Sequence, residues 1–296
     1  MSDIITLCDG QQVRMGRIRP YAQADTPRFK MLVASDGTQR IIPKLEAYAD
    51  LTMASPPVTV DLSAKAMATV KRKYANDQYG DCVIAGKAHQ IGIWTGNDSD
   101  QAVEVSDNQV VSSYHSICGP GDNGCNITAV LDVFKQSGLW GHKIDGYVEV
   151  NHTNKLLVQT AIYLLGSLTL GINLPHGWTC TNCVWGPSSG SVGGHDVCVV
   201  GYGPDLKDAN GKPFNEDGVA VATWGGIALI PWPQFLVRSW VEECYAELSP
   251  DWYGKDNLAP NGIDAGSLKN DLDVLGGGTP PPLPDPIHYL NPDLWV

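Results

Sequence analysis

Apolar residues at Val83, Ile84, Ala88, Ile91 and Trp94 recur at close to helical spacing, and few breakers interrupt the run from Cys82 to Trp94. The pattern predicts a helix that opens at Cys82, with Asp81 in the capping position. A second helix is predicted from Asn154 to Gly166, where Leu157, Ala161 and Leu164 share a face. Elsewhere the apolar runs are shorter. Leu168 to Leu174, Val197 to Val200, Val219 to Ala222 and Ile227 to Ile230 read as buried strands. Gln12 to Met15, Phe29 to Val33 and Arg40 to Ile42 predict N-terminal strands, the last two joined by the turn Ser35-Asp36-Gly37-Thr38. Pro233 to Val241 predicts a short helix. Helical segments between about Ala66 and Gly138, followed by a strand-rich second half, make this an α+β chain with a helical lobe and a β lobe.

Three regions follow from the same pattern. Residues 1–56 form a β-rich extension, 57–250 the main domain, and 251–296 a C-terminal extension. The last contains the stalk Gly276-Gly277-Gly278-Thr279-Pro280-Pro281-Pro282-Leu283-Pro284-Asp285-Pro286, flexible and then stiff. Beyond it lie Ile287, Tyr289, Leu290, Leu294 and Trp295, an apolar tip suited to docking into a homo-oligomer or a larger assembly.

Charge narrows the partners. Lys plus Arg number 20 against 32 Asp plus Glu, a formal charge of −12, which argues against nucleic acid or an anionic membrane surface. No apolar run reaches membrane-spanning length. The first residues, Met1 to Cys8, have no basic region, long apolar core or cleavage site, so no signal peptide is read. The expected location is cytoplasmic, or a virion if the chain is phage-encoded. No cofactor is called for.

The candidate chemistry lies at two places. Gly80-Asp81-Cys82 delivers a thiol to the first turn of a helix, where the positive end of the helix dipole favours thiolate. Gly193-Gly194-His195 brings an imidazole to the start of a buried strand. An imidazole beside Cys82 would take its proton and later protonate the leaving group.

At these residues the chain resembles the papain-like cysteine peptidases. Gly80-Asp81-Cys82 resembles the family's nucleophile turn. Ser106-Asp107-Asn108-Gln109-Val110-Val111 resembles the short helix that precedes its Cys-rich loop, and Gly124-Cys125-Asn126 its Gly-Cys-Asn-Gly segment. His195-Asp196-Val197 through Gly201-Tyr202-Gly203 resembles the histidine strand, and Thr223-Trp224-Gly225 stands where the family has Asn-Ser-Trp-Gly. The resemblance runs from about Asp61 to Trp224. It implies a two-lobe fold and a peptide or other acyl substrate bound between the lobes. It also implies a Cys82–His195 dyad, with Asn76 and the Cys82 backbone N–H stabilising the oxyanion. Asn76 stands where the family has glutamine, and Gln78 is the alternative donor. The family's orienting asparagine aligns with Ala222. Thr223 is the neighbouring hydroxyl, expected on the opposite face of its strand. Tyr79, Asp81 and Val83 replace the usual residues around the nucleophile, and a carboxylate at Asp81 opposes the thiolate unless it is turned away or capping the helix.

The eight cysteines leave several readings open. The family's disulfide framework is not retained, because Tyr79 occupies one partner position. In a reducing cytosol free thiols are the default. Local disulfides are a second reading, and a zinc set of Cys118, Cys125, Cys180 and Cys183 a third. His89, on the helix of Cys82 but about two turns on, reads as packing. Two functions remain. One is a cysteine peptidase or amidase. The other is a catalytically weakened papain-like fold serving as a component of an assembly such as a phage virion.

Overall fold

A computed structural model describes residues 4–18, 22–25, 29–33, 39–43, 56–254 and 258–260. The proline-linked tail predicted beyond residue 260 and the turn at residues 34–38 lie outside them.

The N-terminal strands are β1 (Ile4–Thr6), β2 (Gln12–Arg14), β3 (Arg17–Ile18), β4 (Ala22–Asp25), β5 (Phe29–Val33) and β6 (Gln39–Pro43). β1 and β2 pair with each other, and β4, β5 and β6 form an antiparallel sheet in which Val33 faces Gln39, the predicted hairpin. β7 (Val60–Asp61) leads into the helices α1 (Met67–Val70), α2 (Cys82–Ser99) and α3 (Asp107–Cys118). β8 (Cys125–Asn126) precedes α4 (Ile127–Gln136), and β9 (Gly146–Glu149) precedes α5 (Lys155–Leu165). The remainder is β10 (Thr169–Leu174), β11 (Cys183–Val184), β12 (Gly193–Gly203), β13 (Gly218–Thr223), β14 (Gly226–Pro231), α6 (Trp232–Phe235), β15 (Val241–Leu248) and α7 (Pro250–Tyr253).

Local chemistry sets the helix ends. Ser106 and Gln109 make a capping box at the start of α3. Asn126 and Asn154 cap α4 and α5 through their side chains. Gly166 closes α5 in the left-handed conformation that a β-carbon disfavours. The expected helix at Pro233 to Val241 is shorter than predicted. It ends at Phe235, and Val241 already begins β15.

Among the described residues the largest sheet has eight strands, in the order β11-β14-β13-β12-β10-β15-β9 with β7 added beside β12. Both faces of its centre are covered, so β13 and β14 are apolar and buried along their length. α2 is buried nearly all round and packs against β12, α3, α4 and α7. It carries a lysine into this core. Lys87 Nζ lies 2.8 Å from Glu247 Oε1 on β15, and Gln90 and Thr169 complete the buried group. That ion pair ties the central helix to the sheet. The result is an α+β molecule with Cys82 at the start of the helix and His195 near the start of β12, the strand against which that helix packs.

Candidate active site

Cys82 is the first residue of α2, as predicted, and is 2% exposed. Burial raises its thiol pKa first, and the neighbouring Asp196 carboxyl adds to the rise. The backbone N–H groups of Asp196 and Gly16 face the sulfur and act in the opposite direction. Asp81 occupies the capping position but makes no side-chain cap hydrogen bond. Its carboxyl is buried, and burial pushes it up to about 8. It is therefore neutral near pH 7 and places no full negative charge beside the thiol.

His195 is 1% exposed and lies on β12 opposite Ile172 of β10. Its Nε2 is 2.9 Å from the Thr223 hydroxyl. Its Nδ1 is buried without a hydrogen-bond partner. Trp224 stacks on the ring, with centroids 4.2 Å apart and planes at 13°. Burial lowers the imidazole pKa to about 3, and the positive charge of Arg17 contributes.

The placement of Thr223 corrects the sequence reading, which put its side chain on the far face. Cys198 pairs with Ala222 across β12 and β13. Facing residues of an antiparallel pair share a face, so Thr223, one step on, shares the face of Val197 and therefore of His195. Ala222, the position aligned with the family's asparagine, sits on the other face. Trp224 and Gly225 then both take positive φ, 45° and 82°, and make the two-residue turn into β14. The turn folds the indole back over the imidazole.

Of the two candidate oxyanion donors, Asn76 is buried and Gln78 exposed. Asn76 Nδ2 donates to the carbonyls of Tyr79, at 3.1 Å, and Arg14, at 3.4 Å. His89 is buried edge-on against Tyr74, and burial lowers it to about 4, in keeping with a packing role.

The contact with Arg14 belongs to a feature the sequence reading missed. Residues 14–18 run through the site as a strap. The Arg14 N–H donates to the Asn76 carbonyl at 3.3 Å, and the Gly16 carbonyl accepts from the Cys125 N–H at 2.5 Å. β3 continues the contact by pairing in parallel with β8. A β-carbon on Gly16 would lie 1.7 Å from the Gly80 carbonyl oxygen, and one on Gly194 would lie 2.7 Å from the Arg17 carbonyl oxygen. The strap is thus wedged between the turn that carries Cys82 and the strand that carries His195. The available signal was compositional: Arg14, Arg17 and Arg19 cluster within six residues of an acidic chain.

Among the cysteine readings, the structure takes the local disulfides over the free-thiol default and the zinc set. Cys118 pairs with Cys125 and Cys180 with Cys183 as disulfides, while Cys8, Cys82, Cys198 and Cys244 are free. These two bridges consume all four thiols of the zinc set, and a bridged sulfur is no thiolate ligand. Both bridges are short-range, and both bring their Cα atoms within bonding reach, at 5.3 and 6.1 Å.

No family model and no curated protein matches the sequence. Solved structures do match the fold. Xylellain, a cysteine protease from Xylella fastidiosa, superposes with a TM-score of 0.53 at 16% identity, covering 79% of this chain and 95% of that one. Procathepsin B S9 from Trypanosoma congolense gives a TM-score of 0.50 at 15% identity, covering 70% and 82%. The chain has a divergent papain-like fold.

Proposed function

We propose that the protein is a cysteine hydrolase acting on peptides or related acyl compounds, with Cys82 as nucleophile, His195 as its base and then acid, and a strap at residues 14–18 that keeps it latent. One observation carries this reading. The His195 ring is held at Nε2 by Thr223 and covered by Trp224, which leaves Nδ1 buried and unpartnered, while the N–H of the next residue faces the Cys82 sulfur. Nδ1 takes the thiol proton, and the sulfur attacks the substrate carbonyl. The oxyanion draws on the Cys82 N–H and on Asn76 Nδ2, once the strap carbonyl of Arg14 leaves that amide. The imidazolium then protonates the leaving group, and water releases the acyl group from sulfur by the same route.

Burial holds the resting pair neutral, with the thiol raised and the imidazole lowered. Both shifts favour a silent site while the strap is in place, and both relax when water replaces it. The two disulfides favour an oxidising setting over the reducing cytosol expected from the first residues.

The test is alkylation with iodoacetamide in a full-length Gly16→Ala chain, whose strap cannot seat. Cys82 is expected to react faster than Cys8, Cys198 and Cys244, and His195→Ala in the same background to slow it at least about tenfold. A Cys82 that reacts no faster than a denatured thiol removes the hydrolase reading.

A further inference from the structure

Arg17 is an arginine side chain seated in a purpose-shaped pocket next to the candidate nucleophile. Its Nε donates to Glu243 at 2.9 Å, one terminal nitrogen donates to Glu242 at 2.6 Å, and the other donates to the Ile172 carbonyl at 3.0 Å. All three guanidinium nitrogens are therefore used, the fork geometry that distinguishes arginine from lysine. The Arg17 side chain is fully buried and that of Glu243 is 1% exposed.

The sheet departs from regularity at this place. Successive residues of a strand point to opposite faces, so Glu242 and Glu243 should not reach one ligand. The pairing of β10 with β15 shifts between Gly171, which faces Glu243, and Ile172, which faces Val241. Glu242 is the residue left over, and such a bulge re-aims a side chain. Both carboxylates thereby meet the same guanidinium. Gly171 completes the pocket, since a β-carbon there would lie 2.7 Å from Arg17 Nε. The next residue back along the strap is Gly16, whose N–H faces the Cys82 sulfur.

This arrangement has a consequence once the strap lifts. Glu243 is left as a buried carboxylate with no cation, which is costly unless another cation replaces Arg17. Strap and substrate would pass over the same sulfur. We propose that the Glu242–Glu243–Ile172 pocket is the substrate-reading subsite of this enzyme, that it selects an arginine side chain, and that Arg17 occupies it as a pseudosubstrate. The strap is not itself cleaved at Gly16, because it offers the sulfur an N–H donor instead of a carbonyl carbon.

The proposal rests on the hydrolase reading, and the experiment separates the two. Full-length Arg17→Ala protein is alkylated at Cys82 with iodoacetamide in the presence of acetyl-arginyl-glycinamide or its citrulline counterpart, which keeps the shape but loses the charge. Half-protection of Cys82 is expected at an at least tenfold lower concentration of the arginine peptide. The arginine peptide should also raise the melting temperature by about 3 °C at ten times its dissociation constant, with the citrulline peptide inert at that concentration. Equal protection by the two peptides, or none by either, overturns the subsite. If Cys82 never reacts faster than a denatured thiol, the hydrolase reading falls and takes the subsite with it; a surviving melting-temperature response then identifies an anchor for the strap alone. Arg17→Lys, which keeps a positive charge beside Glu243, serves as the second variant if Arg17→Ala does not fold, and the same tenfold preference is required of it.

Discussion

The Thr223 hydroxyl lies 2.9 Å from His195 Nε2, on a ring that Trp224 covers from one side. A hydroxyl both donates and accepts, so it suits either protonation state of that nitrogen. It carries no charge, and this distinguishes it from a carboxylate in the same place. It fixes the ring without holding it protonated. Thr223→Val keeps the shape of the side chain and removes the bond. A hydrogen bond to a group that becomes charged is worth about 1.5–3 kcal/mol, so His195-dependent alkylation of Cys82 should fall by about ten- to a hundredfold. Thr223→Ser should retain most of the rate. Equal rates in wild type, Thr223→Val and Thr223→Ser would show that Trp224 alone positions the ring.

The strap is set by one small residue. At Gly16 a β-carbon would lie 1.7 Å from the Gly80 oxygen and 2.2 Å from the Gly80 carbonyl carbon, and both atoms are backbone. Neither can rotate away, so Gly16→Ala forces residues 14–18 out of the cleft. Cys82 alkylation should rise at least about tenfold over wild type, which corresponds to about 1.4 kcal/mol of lost strap binding. Far-ultraviolet circular dichroism should change little, because the strap contributes only short strands. A wild-type rate as fast as that of Gly16→Ala would show that the strap does not guard the thiol.

Asp81 gives the folded protein a specific pH dependence. The folded chain holds its proton up to about pH 8, whereas an unfolded aspartate releases it near 3.8. Between these values the folded state binds the extra proton, so this group's contribution to stability declines as pH rises and is lost by about pH 8. His195 has the opposite sign. Its folded pKa of about 3 lies below the ordinary 6.5, so its contribution is lost as pH falls from 6.5 toward 3. Asp196 is also buried with a raised pKa and shares the sign of Asp81, but its contribution and that of His195 cancel in the difference between wild type and an Asp81 variant. Asp81→Asn should therefore gain on wild type by about 2 kcal/mol between pH 6 and pH 8, measured by urea unfolding at each pH. A difference independent of pH would place Asp81 ionised in the folded state.

The parts of this site differ in how far the sequence could disclose them. Cys82 is legible because a turn and a helix start are local, and the apolar spacing after it marks the helix. His195 is legible as the head of an apolar strand. Thr223 is a matter of register: its face depends on which residue of β12 lies opposite Ala222, and a shift of one residue would reverse the assignment. Arg17 and Glu243 are less accessible still. They are 226 residues apart, and their meeting depends on a bulge at Glu242 that no local pattern announces. The cysteines stay open in the sequence for a related reason. Spacing admits bridge, metal or free thiol alike, and the chain's path decides among them.

The buried Lys87–Glu247 pair holds the nucleophile helix in register with the sheet. Lys87 lies on α2 little more than one turn beyond Cys82, and both partners have fully buried side chains. Glu247 also accepts from Gln90 at 2.9 Å and from Thr169, so its oxygens are well supplied with donors. Removing the cation alone leaves a buried carboxylate with only neutral partners. Lys87→Met should cost about 3–5 kcal/mol, the usual penalty for breaking one side of a buried pair. Removing both charges is a different matter, because the desolvation cost of each ion disappears with the attraction between them. Lys87→Met combined with Glu247→Leu should therefore recover most of the loss in chemical denaturation. If the double variant is as unstable as the single one, packing around the lysine stem, and not the buried charge, holds the helix against the sheet.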